Sequence, residues 1–338
     1  MIIKFSAGRV PFVSVLVVAA LSACGGGGGS ESTPAPPAPE KALALNASNY
    51  QVAAQQAVTA GSFLMTSGDL LSGAQASAAP SAMQAAVKQF PGLLKQFKRP
   101  ALVAGAVINE SEPCSGGGKI DITTNDINNN GQPDEGDSGV MVFSACKEDG
   151  VVMSGRMEIN ITKLTGVFDS SNFSASVTLK LENFSVTSPT GTASGQGELK
   201  LSMAATSATQ SSLRIEAPNF SSSGRVGTTE YQQTMSNFVI SINTTSLTNG
   251  QSTDTATVSG VLSGSAIEAK SISIETPIAL TIPSALDYPT AGKVVIKGAA
   301  NSVVQMTVQP NGRVLIELDA DGNGSFETSV NKAWSELT

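Results

Sequence analysis

From Met153 onward, apolar and polar residues alternate with a period of two. Met153, Gly155, Met157, Ile159 and Ile161 are apolar or small, and Ser154, Arg156, Glu158, Asn160 and Thr162 lie between them. Successive side chains of an extended strand point to opposite faces, so this pattern predicts a strand with one buried and one wetted face. The alternation returns in Phe173-Ala175-Val177-Leu179-Leu181, Leu199-Leu201-Met203, Leu213-Ile215-Ala217, Phe238-Ile240-Ile242, Ile272-Ile274, Ile278-Leu280-Ile282, Val304-Met306-Val308 and Val314-Ile316-Leu318. Turn clusters such as Ser188-Pro189-Thr190-Gly191, Thr248-Asn249-Gly250 and Pro310-Asn311-Gly312 separate these runs. Ten or more strands with short connections describe an antiparallel meander with one apolar and one Ser/Thr-rich face. Such a sheet must curl, fold on itself or be covered. Ser154-Gly155, Ser194-Gly195 and Ser259-Gly260 each open a strand segment, a weak internal repeat of hairpins.

Before the strands the period is helical. Val52, Ala53, Ala57, Val58, Phe63 and Leu64 predict a helix beginning near Ser48, and Met83, Val87 and Phe90 a second one after Pro80. Pro91 either breaks that helix or begins a further turn through Leu93, Leu94 and Phe97. The apolar stripes suit packing on the sheet better than a membrane surface, because their polar faces are not rich in Lys or Arg. The expected fold is therefore mainly β with N-terminal helices. It is a large curved antiparallel meander, barrel-like or an open half-barrel, covered by two to three helices.

The first residues have the parts of an export signal: Lys4 and Arg9, an apolar run from Val10 to Leu21, and small residues before a cut point. That run is shorter than the roughly 20 residues a membrane-spanning helix needs. Leu21-Ser22-Ala23-Cys24 resembles the lipobox of bacterial lipoproteins, which implies that Cys24 is acylated and becomes the mature N-terminus. The plainer alternative is an ordinary signal followed by a chance cysteine. With two or three acyl chains, each buried CH₂ contributing about 0.8 kcal/mol, the anchor would be stable. Gly25 stands where an aspartate usually retains enterobacterial lipoproteins at the inner membrane, so the resemblance implies outer-membrane delivery. Gly25 to Ser30 and the Pro-rich stretch from Thr33 to Pro39 read as a flexible, extended tether. The expected organisation is a signal over 1–23, a lipidated tether over 24–43, a helical segment over 44–105 and a β domain over 106–338.

The chain is 41% hydrophobic, enough to build a core. Its net charge of −7 becomes −9 once Lys4 and Arg9 leave with the signal, which opposes binding to nucleic acid or attachment to anionic lipid through basic patches. Apart from Cys24 the cysteines are Cys114 and Cys146. An exported pair is expected to form a disulfide, contributing roughly 3 to 4 kcal/mol; free buried thiols are the alternative.

Two short segments carry candidate metal chemistry. In the first, Asp126, Asn128, Asn130, Gln132, Asp134 and Asp137 occupy positions 1, 3, 5, 7, 9 and 12 of a calcium loop, with Gly131 at the sharp turn. Asp137 departs from the bidentate Glu of an EF-hand at position 12. In the second, Asp319, Asp321, Asn323, Ser325 and Glu327 follow the same spacing around Gly324, but position 12 is Val330. Calcium would pin these loops between strands; the alternative is polar turns whose side chains satisfy their own backbone.

Enzymatic readings find little support. The chain has no histidine, which removes His-based triads, His acid–base catalysis and His-liganded zinc. Ser329-Val330-Asn331-Lys332 fits S-x-x-K, but no Lys-Thr-Gly companion exists. Trp334, the only tryptophan, is expected to seal the core.

Cys114-Ser115-Gly116-Gly117-Gly118, the Asp126–Asp137 loop, Gly139 leading to Cys146, Tyr288-Pro289-Thr290-Ala291-Gly292, and the Asp319 loop running to Trp334 together resemble uncharacterised Gram-negative lipoproteins. The resemblance implies no activity. It supports a non-enzymatic binding or scaffold module on the outer membrane, facing the periplasm or the cell surface, with an unidentified protein or apolar partner. The alternatives are a periplasmic carrier holding lipid or another apolar ligand in a curled-sheet cavity, and a carbohydrate-active enzyme using carboxylates alone.

Overall fold

Among the described residues, fourteen strands pair only with their neighbours in sequence, in the order β1 to β14, and all ladders between them are antiparallel. The computed structural model describes residues 41–61, 81–87, 89 and 107–337, apart from 129, 149, 169, 248 and 249. The strands are β1 (Val107–Pro113), β2 (Lys119–Asn125), β3 (Ser138–Glu148), β4 (Val151–Gly166), β5 (Phe173–Ser188), β6 (Gly191–Ser207) and β7 (Gln210–Val226). They continue as β8 (Thr229–Ser246), β9 (Ser252–Gly264), β10 (Lys270–Pro283), β11 (Ala291–Lys297), β12 (Val303–Gln309), β13 (Arg313–Asp319) and β14 (Thr328–Ala333). The sheet is open rather than barrel-like: β1 and β14 are its two edges.

The alternating residues form one continuous buried face. Met157, Ile159, Leu179, Leu199, Ile240, Ile296, Val304, Val314 and Ile316 are all at most 1% exposed. Helix α1 (Tyr50–Gly61) lies against β9 and β11 to β13, and presents mostly small residues, Ala53, Ala54, Ala57 and Ala60, which let helix and sheet approach closely. Asn46 starts this helix: its Oδ1 accepts from Ser48 N, while Asn49 Oδ1 accepts from Asn46 N. Val52 points to solvent rather than to the sheet. Residues 82–87 are also helical, with Ala82, Met83, Ala86 and Val87 buried, and Ser81 Oγ accepts from Gln84 N. Ala82 sits over β6, where a Cβ at Gly195 would come within 2.9 Å of its methyl. Phe63, Leu64, Phe90, Leu93, Leu94 and Phe97 lie outside the described residues.

The opposite face carries charges in cross-strand register. Arg156 faces Glu182, Glu158 faces Lys180, Lys180 faces Glu198, and Lys200 faces Glu216. Exposed pairs of this kind contribute little stability, at most about 1 kcal/mol each, but they make this a water-facing surface and disfavour slipped registers.

A line of irregularities crosses the sheet from β3 to β9. Ala145, Asn183 and Asn237 take left-handed φ of +48°, +48° and +47°, and the ladders shift register beside each of them. The Asn183 and Asn237 bulges each face a glycine on a neighbouring strand. A Cβ at Gly155 would lie 2.2 Å from Asn183 O, and one at Gly260 would lie 2.5 Å from Phe238 Cα. Asn-Phe pairs recur at this line, and their rings, Phe184, Phe220 and Phe238, are the largest fully buried side chains. The inserted residue turns each Phe inward over a glycine that leaves room for it.

In the run Ile278-Leu280-Ile282 only the last two side chains face inward; Ile278 is 55% exposed. The register of β10 shifts on both sides of Ile278 against β11. Pro277 cannot donate to a ladder, and Thr276 Oγ1 bridges to Val258 N and O in place of main-chain bonds. Trp334 is buried in the core as the pattern predicts, with Trp334 N donating to Gly312 O.

Residues 41–45 join the sheet at one end. Residues 41–43 run parallel to the start of β10: Leu43 N donates to Ser271 O, and Ser271 N to Lys41 O. Ala299 N then donates to Leu43 O, and Leu45 N to Ser302 Oγ, burying Leu43 and Leu45. Because connections of a meander alternate between its ends, the Cys114 turn and the Asp319 loop share the end at which Lys41 emerges, and the Asp126 loop lies at the other.

Candidate functional site

The first Asx loop joins β2 to β3. Asp126 Oδ2 accepts from Gly131 N at 2.8 Å, Asn128 Oδ1 from Asn130 N at 3.1 Å, and Asn130 Oδ1 from Gln132 N at 2.7 Å. Asn128 Nδ2 donates to Asp134 Oδ2 at 2.8 Å, and Asn130 Nδ2 donates to the same oxygen. Asp137 is fully buried and braces the loop, taking Ile127 N on Oδ1 at 3.0 Å and Asp134 N on Oδ2 at 2.8 Å. Burial pushes the Asp137 carboxyl above its ordinary pKa, opposed by those two N–H donors and reinforced by the charges of Asp126 and Asp134.

The second loop joins β13 to β14 on the same frame. Asp319 Oδ2 accepts from Gly324 N at 2.9 Å, Asp321 Oδ1 from Asn323 N at 3.1 Å, and Asn323 Oδ1 from Ser325 N at 2.7 Å. Asp319 Oδ1 also takes Gly322 N and Asn323 N, and Glu327 Oε2 takes Ala320 N at 2.9 Å. Carboxylate oxygens of Asp319, Asp321 and Glu327 lie within 4.8 Å of one another. In both loops the residues at positions 1, 3 and 5 thus make the same contacts to the N–H groups at 6, 5 and 7. Carboxylate and amide oxygens gathered in this way are the ligand type that a hard cation takes.

Cys114 and Cys146 form a disulfide, with Cα atoms 5.4 Å apart, that ties the end of β1 across β2 to β3. Gly118, at φ +74°, is required here because a Cβ would lie 2.0 Å from Ala145 O. Ser115 donates through N and Oγ to the two carboxylate oxygens of Glu148, at 2.6 and 2.7 Å. Those two bonds, the hydroxyl one foremost, hold the Glu148 carboxyl below its ordinary pKa. This clip had no local signal in the sequence, because its partners are 33 residues apart.

Ser329 and Lys332 both lie on β14, where residues three apart point to opposite faces, so they do not converge as an S-x-x-K pair on a helix would. Cys24 lies outside the described residues. Among the described residues no helix is long and apolar enough to cross a membrane.

These features define an open, fourteen-stranded antiparallel meander with helices on its apolar face and a disulfide suited to an oxidising, exported environment. Comparison of the chain with protein-family models, curated proteins and solved structures returns no match.

Proposed function

We propose that the protein is a lipid-anchored scaffold or binding module of the outer membrane, non-enzymatic, with Cys24 carrying the acyl chains. The observation that carries this reading is the Leu21-Ser22-Ala23-Cys24 segment, followed by a Gly/Pro tether that ends where Lys41 to Leu45 dock on the sheet. A tether delivering a folded domain needs such a fixed attachment, and four backbone-donated hydrogen bonds hold it here. The small-residue helix face packed on the apolar side of the sheet favours a scaffold over a carrier of apolar ligands. The test is expression in a Gram-negative host with mass spectrometry of the N-terminal peptide and membrane fractionation. The wild type should carry acyl chains on Cys24 and sediment with outer membranes, and Cys24→Ala should lose both. An unmodified Cys24 in the wild type would reject the reading.

Within this reading the two Asx loops are structural calcium sites, supported by their shared hydrogen-bond frame. Asp126, Asn128, Asn130, Asp134 and the Gln132 carbonyl would hold one ion, with Asp137 behind them. Asp319, Asp321, Asn323, Glu327 and the Ser325 carbonyl would hold the other. Bound calcium would neutralise carboxylates gathered in each loop and fix the connections. Calcium at 100 times its Kd would stabilise the fold by about 2.7 kcal/mol per site. Calorimetric titration should show two sites; Asp126→Asn with Asp134→Asn should remove one, and Asp319→Asn the other. Absence of binding heat and of any shift in melting temperature on adding calcium or chelator would reject the sites.

A further inference from the structure

We draw no further inference here: the strongest candidate, the exposed aliphatic tips Ile127, Val167 and Leu247 on three connections at the end of the sheet away from Lys41, carries nothing because nothing in the structure shows what covers it.

Discussion

Replacing Gly155 by alanine isolates the cost of the close approach at the bulge line, provided that Gly117→Ala is measured beside it. Both glycines have φ +107°, so alanine brings the same kind of backbone strain to each, about 1–3 kcal/mol. Their surroundings differ. A Cβ at Gly117 meets nothing within 4 Å, whereas at Gly155 it would lie 2.2 Å from Asn183 O and 2.7 Å from Phe184 Cα. These are main-chain atoms of the paired strand and cannot rotate away. Relief requires β4 and β5 to separate where Phe184 is fully buried and its ring stacks edge-on to Phe143 at 5.5 Å. Forcing extra volume into such a site costs about 1–3 kcal/mol, and a weakened ladder bond about 1 kcal/mol more. Gly117→Ala should therefore lose about 1–3 kcal/mol, and Gly155→Ala about 2–4 kcal/mol more than that. Urea unfolding of the chain in a Cys24→Ala background reads this directly. The fluorescence of Trp334, the sole and buried tryptophan, reports the β13–β14 end, and far-UV circular dichroism reports the whole sheet. Equal losses for the two variants would refute a steric role for the bulge line, and an unchanged Gly155→Ala would refute the register itself.

Cys114→Ser with Cys146→Ser should cost about 3.7 kcal/mol in the chain-entropy model for a separation of 32 residues, and reductant should lower the wild-type melting temperature but not the double variant's. Because burial raises the Asp137 pKa above its unfolded value of 3.8, the folded state binds that proton more tightly, and stability is lost as pH rises through the folded pKa. In chelator, Asp137→Asn should thus gain on the wild type as pH rises above about 4. Melting curves in which the gap stays flat over that range would contradict this account. Ile278→Thr should leave stability within about 0.5 kcal/mol, whereas Ile274→Thr, at a site 2% exposed, should cost about 2–4 kcal/mol in the same unfolding assay.

The strands were legible because water on one face and a core on the other impose a period of two, and the Asx loops because their polar side chains are contiguous in sequence. The docking of Leu43 on β10 and the Ser115–Glu148 clip were not legible, since each joins distant residues through groups common throughout the chain. Ile278 and Val52 were placed inward by a periodicity that carries no information about a bulge or about how wide a helix face the sheet can cover.

The bulge line is a different case, because its signal was present in the alternation itself. In β5 the inward residues are odd through Leu179 and Leu181, then even at Phe184 and Val186. In β7 the parity changes between Ala217 and Phe220, and in β8 between Met235 and Phe238. One extra residue in a strand reverses its faces, so each change locates an inserted residue, and each is followed by Asn-Phe. Strands β4, β6 and β9 keep their parity and carry Gly155, Gly197 and Gly260 along the same line. The bulged strand supplies a residue that tolerates left-handed φ, and its neighbour a residue without a Cβ. Neither requirement is visible from one strand alone. Read across adjacent strands, a parity reversal beside a glycine predicts both the bulge and its register.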